Sequence, residues 1–454
     1  MSHGNRILIA ALCLGSSFFL LGPTAPSSDI ILAKLVKPHG PVIPARFQGA
    51  ISGLQELSSS WIAAMPRSVR EDLSIRGIES EVLDAEPAGK SYFLISIPRP
   101  GAAKDIEGLG HVKILDDETG LFWRDDAREA REVLPAEFKI KKLSLDDGVP
   151  LTSDGRSAAG PAASFGGILK LPLYDPLIAR MTGGVTASNL RGSILALQSF
   201  LTRYATTTNC ELAGDYLYAY FLQLGLISEL DPFSFSSNRY ASRNVIAVLP
   251  GKKLPQNVVI VCAHYDSYSS QAATSAPGAD DNASGTAAVM EIARILAGYE
   301  FSFTLKFACF SAEEWGFYGS QHYVQEAVAR GEKIIGVINL DMIAYADALP
   351  EDLDLVVDQR SEWLANRFTI CAALYAPLPL LKVVNPGLRW SDHAPFWDKG
   401  YSALCGIEDY APSNPYYHKT TDTVDKLNLD FATSVTKIAL AVAADLAQPA
   451  SSIR

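Results

Sequence analysis

Val258 to Asp266 reads VVIVCAHYD, an apolar run that ends in a histidine and an aspartate. The run predicts a β-strand that is buried on both faces, as in a parallel sheet. In open α/β sheets, binding sites gather at the carboxyl ends of the strands. His264 is therefore a candidate metal ligand, and Asp266 is placed to orient it. A surface histidine beside an acid is the competing explanation at this point.

Apolar strands alternate with helices through the second half of the chain. The residue patterns predict further strands at 244–250, 305–310 and 334–340, and helices at 190–204, 213–224, 285–296, 319–330, 361–375 and 431–446. Strands that alternate with helices in this way form a sheet covered by helices on both faces. Residues 185–454 are therefore expected to form a three-layer α/β/α catalytic domain around a mostly parallel mixed sheet.

Four more segments carry acids or a histidine next to predicted strands or in turn-rich loops. Each has an ordinary explanation: adjacent acids before a helix can cap it, and paired glutamates can form a solvated loop. A carboxylate at the end of a buried strand, however, is costly unless it is paired or bound to a metal. The residues concerned are Asp281, Glu313, Glu314, Asp341 and His418.

Together with His264, these residues have the composition of a metal centre. Two histidines and three acids, with one of the two adjacent glutamates left free as a base, suit zinc, which binds nitrogen and oxygen donors. One carboxylate shared by two ions about 3.5–4 Å apart is the arrangement used in two-metal hydrolysis. His393, in the segment from Trp390 to Pro395, either lines the same pocket or is structural.

The order of these residues resembles the di-zinc metallopeptidase family of bacterial leucyl aminopeptidases. The resemblance covers residues 185–447 and does not reach residues 29–175. The motifs that carry it are His264-x-Asp266, Asp281-Asn-Ala-Ser-Gly285, Glu313-Glu314-x-Gly316, Leu340-Asp341-Met and His418-x3-Asp422-Thr.

The resemblance implies two zinc ions per chain and a role for each residue. Asp281 would bridge both ions, His264 and Asp341 would complete one site, and Glu314 and His418 would complete the other. Glu313 would be the general base, and Asp266 would orient His264. Tyr417 would help to hold the oxyanion, a role for which Tyr416 competes.

The activity implied by the resemblance is that of an exopeptidase which releases N-terminal residues from peptides. Carboxypeptidase or dipeptidase action within the same family is an alternative. Glutaminyl cyclases share the fold but keep one zinc, and the Glu313-Glu314-Trp-Gly sequence followed by Gly319-Ser320 looks more like the peptidases. A non-catalytic binding ectodomain would be expected to have lost ligands, and none of the five is missing.

The first part of the chain contains a targeting segment and a small domain. Residues 1–28 resemble a signal peptide, because Arg6 precedes an apolar run of 15 residues that is too short to cross a bilayer. Export to the periplasm or the extracellular space is expected, and a membrane tether by an uncleaved signal is the alternative. The mature protein is not expected to insert stably into a membrane.

Residues 29–160 are expected to form an accessory α+β domain, and residues 161–184 a linker. The order β-α-β-β-α-β over residues 92–145 predicts a ferredoxin-like arrangement. The spacing of apolar residues from Phe47 to Met65 is compatible with an amphipathic helix.

Composition restricts the partners and the kind of metal site. The chain has 454 residues and a formal net charge of −11, too acidic to follow a phosphate backbone. Nucleic acid is therefore not an expected partner, whereas the expected substrate, a peptide, is implied by the family resemblance. There is no C-x-x-C spacing, which argues against a thiolate zinc site. A Cys371–Cys405 bridge could form in an oxidising compartment.

Overall fold

A computed structural model describes residues 30–36, 52–56, 60–75, 78–87, 90–99, 101–115, 119–126, 128–135, 137–143, 171–347, 351–409 and 414–453. The segment 1–28 interpreted as a signal peptide lies outside these residues. None of the described helices is long and apolar enough to span a membrane.

The N-terminal part of the chain contains two small antiparallel sheets. The strands of the first sheet have the order β2-β3-β1-β4. Helix α1 follows directly after β3 in the chain. These elements are β1 (Ile30–Val36), β2 (Ser52–Glu56), β3 (Ser60–Pro66), α1 (Arg67–Ile75) and β4 (Ser80–Asp84). The helix expected from Phe47 to Met65 is therefore wrong, because the described residues of that range belong to β2 and β3. Leu32, Ile62 and Ala64 of this sheet pack against Tyr92 and Leu94 of the second sheet.

The second sheet has the ferredoxin-like topology expected from the sequence. Its strands are β5 (Ser91–Ser96), β6 (His111–Ile114), β7 (Thr119–Arg124) and β8 (Ile140–Lys142), in the order β6-β7-β5-β8. β7 lies between β5 and β6, as a split β-α-β unit requires. The two expected helices are only short 3-10 turns, at Ala102–Ile106 and Ala130–Glu132.

The second half of the chain is built on one eight-stranded sheet. Its strands are β9 (Ile227–Phe235), β10 (Tyr240–Leu249), β11 (Leu254–His264), β13 (Phe303–Phe310), β14 (Lys333–Leu340), β15 (Leu353–Val357), β16 (Leu380–Val384) and β17 (Ala403–Ile407). The order is β16-β15-β17-β14-β11-β13-β10-β9, and the central strands β17, β14, β11 and β13 are parallel. β12 (Tyr299–Phe301) and β18 (Pro449–Ile453) form a separate pair.

Helices cover both faces of this sheet. They are α2 (Pro176–Thr182), α3 (Ala187–Gln198), α4 (Thr208–Gln223), α5 (Ala283–Leu296), α6 (Tyr318–Ala329), α7 (Glu362–Tyr375), α8 (His393–Asp398) and α9 (Leu429–Ala447). The larger core lies under α3, α4, α5, α7 and α9, and a second core lies under α6 and α8. The predicted three-layer α/β/α architecture with a mostly parallel mixed sheet is confirmed.

Two smaller expectations need correction. Part of the expected linker is helical, because Asp175 caps α2, Pro176 occupies its first turn, and α2 packs on α9. The suggested Cys371–Cys405 bridge is wrong, since both thiols are free and buried. Cys371 belongs to the core on one face of the sheet and Cys405 to the core on the other face, so the sheet separates them.

Candidate metal centre

The candidate ligands meet at the carboxyl edge of the parallel strands. His264 is the last residue of β11, Glu313 and Glu314 follow β13, and Asp341 follows β14. Because β13, β11 and β14 are adjacent and parallel, their ends deliver these side chains to one place. Asp281 reaches the same place from the loop before α5, and His418 from the loop after β17.

The five expected ligands form two groups of three that share Asp281. In the first, His264 Nε2 lies 3.3 Å from Asp281 Oδ1 and 3.4 Å from Asp341 Oδ1. In the second, His418 Nε2 lies 3.1 Å from Asp281 Oδ2 and 2.9 Å from Glu314 Oε2. Within each group, one ligand atom from each residue lies within 4.8 Å of the others, and all five residues are buried.

The chemistry of these side chains fits a pair of cations. Glu314 Oε1 and Asp341 Oδ1 are buried and accept no hydrogen bond from any described residue. Buried carboxylate oxygens are normally paired, and leaving one unpaired is costly. A divalent cation would satisfy them, and the set of nitrogen and oxygen donors is one that zinc accepts.

Electrostatics point the same way, because the two histidines lie among four buried carboxylates. Burial lowers the pKa of His418, but the carboxylates of Glu314 and Asp281 outweigh that and raise it to about 9. Burial also lowers the pKa of His264, yet Glu313 and Asp341 hold it well above its usual value. The carboxylates around His264 and His418 therefore concentrate negative charge in the site, and bound cations would stabilise that charge.

Asp266 supports more than the histidine beside it. Its two carboxylate oxygens accept hydrogen bonds from the backbone N–H groups of Glu313 and Glu314, at 3.1 Å and 3.3 Å. His264 Nδ1 lies 3.1 Å from the backbone oxygen of Asp266 and 3.5 Å from its carboxylate. Asp266 thus fixes both the imidazole and the turn that carries the paired glutamates.

Two further residues hold the loop of Asp281 in place beside the other ligand candidates. Asp422 accepts hydrogen bonds from the backbone N–H groups of Asp280 and Asp281, at 2.9 Å and 3.1 Å. Asn282 caps α5 and donates to the backbone oxygen of Leu340, at 2.9 Å, next to Asp341. Asp422 and Asn282 both occur in the sequence motifs, but their roles could not be predicted because their hydrogen-bond partners are distant in sequence.

The backbone is strained at three positions in the site. Ala312, just before Glu313, has a φ of 55°, Met342, just after Asp341, has 52°, and the ligand candidate His418 has 54°. Residues other than glycine rarely adopt a positive φ, at a cost of about 1–3 kcal/mol each. Such strain gathers where a functional geometry is needed.

The structure distinguishes the two neighbouring tyrosines. Tyr417 lines the cavity above the ligands, and its ring stacks on that of His418 with centroids 3.8 Å apart. Tyr416 instead packs edge-on against Tyr345. His393 does not line this cavity: its Nε2 donates to the backbone oxygen of Leu388, at 2.9 Å, so it is structural.

Two buried arginines near the site escaped the sequence analysis. Arg131 comes from the N-terminal domain and lines the cavity together with Lys139 and Ile140. Arg203 donates to the backbone oxygens of Tyr265 and Gly278, and so ties the loop after His264 to the loop before Asp281. Neither arginine lies in a motif, and only the folded chain brings them to the ligands.

Comparison with known proteins places this site in a family. The family model described as peptidase family M28 matches residues 244–443, a range that contains all five ligand candidates. A probable leucine aminopeptidase of Arthroderma otae is 30% identical over 287 residues, which are 61% of this chain and 75% of that protein. Another, of Trichophyton verrucosum, is 27% identical over 344 residues, with coverages of 72% and 88%.

Solved structures share the fold. The LapA aminopeptidase of Legionella pneumophila matches with a TM-score of 0.60 and 22% identity, over 79% of this chain and 98% of that one. A zinc aminopeptidase from Bacillus subtilis matches with a TM-score of 0.51 and 16% identity, over 58% and 96%. Sequence identity over three quarters of a curated relative, together with the matching family model, shows that this chain belongs to peptidase family M28 and is a metallopeptidase.

Proposed function

We propose that this chain is an exported aminopeptidase that uses two zinc ions to hydrolyse the first peptide bond of its substrates. The observation that carries the proposal is the pair of buried ligand groups that share Asp281, with Glu313 outside both groups. Two zinc ions held this way would lower the pKa of a water molecule and polarise the substrate carbonyl. His264, Asp281 and Asp341 would hold one ion, and Asp281, Glu314 and His418 the other.

Glu313 is the proposed general base. Its carboxylate lies 3.9 Å from His264 Nε2, beside the ligands without belonging to either group. Burial raises its pKa well above the usual value in the metal-free chain, although His264 acts in the opposite direction. Zinc ions bound beside it would lower that pKa and keep the carboxylate ionised, as a general base requires. The Glu313 oxygen would take a proton from water and pass it to the leaving amine.

Tyr417 is the proposed donor to the developing oxyanion. Its hydroxyl stays protonated because burial raises its pKa well above the ordinary value for tyrosine. A protonated hydroxyl in the cavity can donate a hydrogen bond to oxygen as negative charge develops there. Asp266 would keep His264 and the turn with Glu313 in the required positions.

Relatives support the choice of activity and metal. Two curated relatives that match over 88% and 75% of their length are described as probable leucine aminopeptidases. A neighbour in fold is a zinc aminopeptidase.

Export is proposed from the apolar run after Arg6, and N-terminal sequencing of the secreted protein would test it, since an intact Met1 would contradict cleavage.

A peptide series tests the activity. Zinc-loaded protein is incubated with peptides that are free, N-acetylated or C-amidated, with and without a chelator. An aminopeptidase releases the first residue from the free and the amidated peptide, spares the acetylated one, and stops when zinc is removed. Release of C-terminal residues would identify a carboxypeptidase, and cyclisation of N-terminal glutamine would identify a glutaminyl cyclase.

A further inference from the structure

We propose that Asp231, His322 and Glu326 form a binding site for a further zinc ion, with ligands that the candidate metal centre does not use. The site joins β9, which carries Asp231, to α6, which carries His322 and Glu326. One ligand atom from each residue lies within 4.8 Å of the others, as in the two groups that share Asp281. The inference goes beyond the proposed function and does not depend on it.

The spacing of the donor atoms fits one tetrahedral ion. His322 Nε2 lies 3.0 Å from Asp231 Oδ1 and 3.7 Å from Glu326 Oε1. Zinc binds nitrogen and oxygen donors at about 2.0–2.2 Å, which places neighbouring corners of a tetrahedron about 3.3–3.6 Å apart. Both distances come within a few tenths of an ångström of that range. His322 and Glu326 are also four residues apart on α6, the spacing at which one helix face presents two ligands to one ion.

An ordinary ion pair explains only one of these two contacts. The Nε2 of an imidazole carries at most one hydrogen, and it lies within hydrogen-bond distance of Asp231. At 3.7 Å, the oxygen of Glu326 is too far away to accept a hydrogen bond from it. The other oxygen of Glu326 pairs with Arg330 at 2.7 Å, which holds the carboxylate beside the imidazole. A cation between the three groups would satisfy both carboxylates at once.

Neighbouring side chains hold the two inner ligands in place. The ring of Phe233 stacks on that of His322, with centroids 5.6 Å apart. Asn244, which is fully buried, donates to Asp231 Oδ2 at 2.9 Å, while Asp231 Oδ1 faces His322. Metal ligands usually have supporting contacts of this kind, which fix the imidazole and the carboxylate before the ion binds.

The exposure and the donor types of the site favour zinc. The side chain of Asp231 is 13% exposed and that of Glu326 is 48% exposed, so an ion can enter from solvent and water can complete its coordination. One imidazole nitrogen with two carboxylate oxygens is a set that zinc accepts. Magnesium and calcium prefer oxygen ligands alone, so the histidine disfavours both ions.

The site is one side chain away from the loop that carries the paired glutamates. Asn244 accepts a hydrogen bond from the backbone N–H of Ser311, at 3.2 Å, and donates to the backbone oxygen of Gly319, at 3.0 Å. Ser311 and Gly319 are the two ends of that loop, and the N–H of Gly319 donates to the oxygen of Ser311 at 3.0 Å. Zinc bound to Asp231 would therefore stabilise the base of the loop through Asn244.

A second histidine–aspartate pair provides a matched control. His111 Nε2 lies 2.8 Å from Asp125 Oδ2, and its ring stacks on Trp123 with centroids 5.1 Å apart. Within the described part of the chain, no further histidine, cysteine or acid completes a metal-binding group with this pair. The pair at His111 therefore has the same ion pair and the same aromatic support as the one at His322, but lacks the third ligand.

Zinc content tests the proposal. The full-length protein is dialysed to equilibrium against buffers of rising free zinc, and the zinc bound per chain is measured by mass spectrometry. His322→Phe keeps a ring on Phe233 but has no donor atom, and Glu326→Ala changes an exposed ligand without disturbing the core. The wild type and the control His111→Phe are expected to bind one ion more than either variant. This difference does not depend on how many ions the candidate metal centre holds.

Thermal unfolding provides a second readout. An ion that binds only the folded chain raises its melting temperature as the site fills. The melting temperatures of the wild type and of His111→Phe should therefore rise by a few degrees over the zinc concentrations at which the additional ion binds. Those of His322→Phe and Glu326→Ala should stay constant over the same range.

Two results would overturn the proposal. Equal zinc content in the wild type and either variant at every zinc concentration would leave the cluster as an ion pair. Loss of one ion in His111→Phe as well would show that three converging ligands are not required. The fate of the proposed function is decided separately: a protein that binds the additional ion but releases no terminal residue keeps this site and loses the proposed aminopeptidase activity.

Discussion

Glu313 and Glu314 are adjacent in sequence, yet their carboxylates have different surroundings. Glu314 Oε2 lies 2.9 Å from His418 Nε2 and belongs to one ligand group, whereas Glu313 belongs to neither. The turn between them is held by Asp266, which accepts hydrogen bonds from both backbone N–H groups. The different surroundings of these two identical side chains follow from this turn, since it points them in different directions.

Glu313→Gln should keep its metal and lose its turnover. The amide cannot accept the proton of water, and general-base catalysis contributes about 10²–10⁴-fold, so kcat should fall by about 100-fold or more. Zinc content, measured by atomic absorption, should equal that of the wild type because Glu313 is in neither ligand group. The exposed Glu137→Gln serves as the control. A metal-replete Glu313→Gln with nearly normal kcat would contradict the assignment.

Asp281 and Asp280 form a matched pair of neighbouring carboxylates. Asp281→Asn should weaken both sites, because both ligand groups contain this residue. Asp280 instead accepts hydrogen bonds from the backbone of Ala344 and from Asn414, so Asp280→Asn should keep its zinc and lose only about 1–2 kcal/mol of stability. Zinc titration of the two variants distinguishes them, and equal zinc affinity would refute the bridging role.

At the scale of elements, the site depends on how closely α5 approaches β14. Gly285, in the first turn of α5, has no room for a side chain: a Cβ would lie 2.3 Å from the backbone oxygen of Leu340. Asn282 and Leu340 are hydrogen-bonded across the same contact. This contact sets the distance between Asp281, which precedes the helix, and Asp341, which follows the strand.

Gly285→Ala should therefore damage both the fold and the metal centre. The methyl group collides with the backbone oxygen of Leu340 and with the side chain of Asn282, which typically costs about 1–3 kcal/mol of unfolding free energy. Urea unfolding measures the first effect, and zinc affinity measures the displacement of Asp281. Gly192→Ala in α3 is the control, since nothing lies within 4 Å of its Cβ and alanine is the better helix former. Unchanged zinc affinity in Gly285→Ala would refute the spacing argument.

Elements were predictable where the sequence pattern was long. The apolar strands β11, β13 and β14 and helices such as α5 and α9 lie where the residue patterns placed them, because full burial demands continuous apolar runs. The range from Phe47 to Met65 shows the opposite case. The spacing of its apolar residues is compatible with a helix, but β3 forms a strand because it pairs with β1 and β2. Such pairing between strands cannot be inferred from a short stretch of sequence.

At the scale of the whole molecule, Lys141 links the two domains. It is buried in the N-terminal domain and pairs with Asp398 of the catalytic domain, which Arg389 also contacts. Burial, together with the nearby Arg389, lowers the pKa of Lys141 to about 7. The contact between the two domains therefore depends on whether Lys141 is protonated.

This coupling predicts how stability changes with pH. An unfolded lysine keeps its proton up to about pH 10.4, whereas Lys141 in the folded chain releases its proton near pH 7. Between these values the unfolded chain binds more protons, so the free energy of unfolding rises with pH, by at most about 1.4 kcal/mol per unit.

Lys141→Met should remove that rise. Urea midpoints at pH 7, 8 and 9 provide the measurement, with the exposed Lys104→Met as the control. The wild type and the control should gain stability over this range relative to Lys141→Met. Parallel pH profiles for all three proteins would show that Lys141 keeps an ordinary affinity for its proton in the folded chain.

The sequence by itself determined the catalytic fold and the identity of the candidate ligands. Buried parallel strands must be apolar, and the polar residues that interrupt them at their ends are visible without a structure. The tertiary structure alone decided which distant groups complete the site. Three of these contacts are hydrogen bonds between residues that are 62 to 183 positions apart in the chain. They join Asp422 to Asp281, Arg203 to Tyr265, and Arg131 to Glu314. No local pattern encodes such contacts, because they depend on how the domains and loops pack.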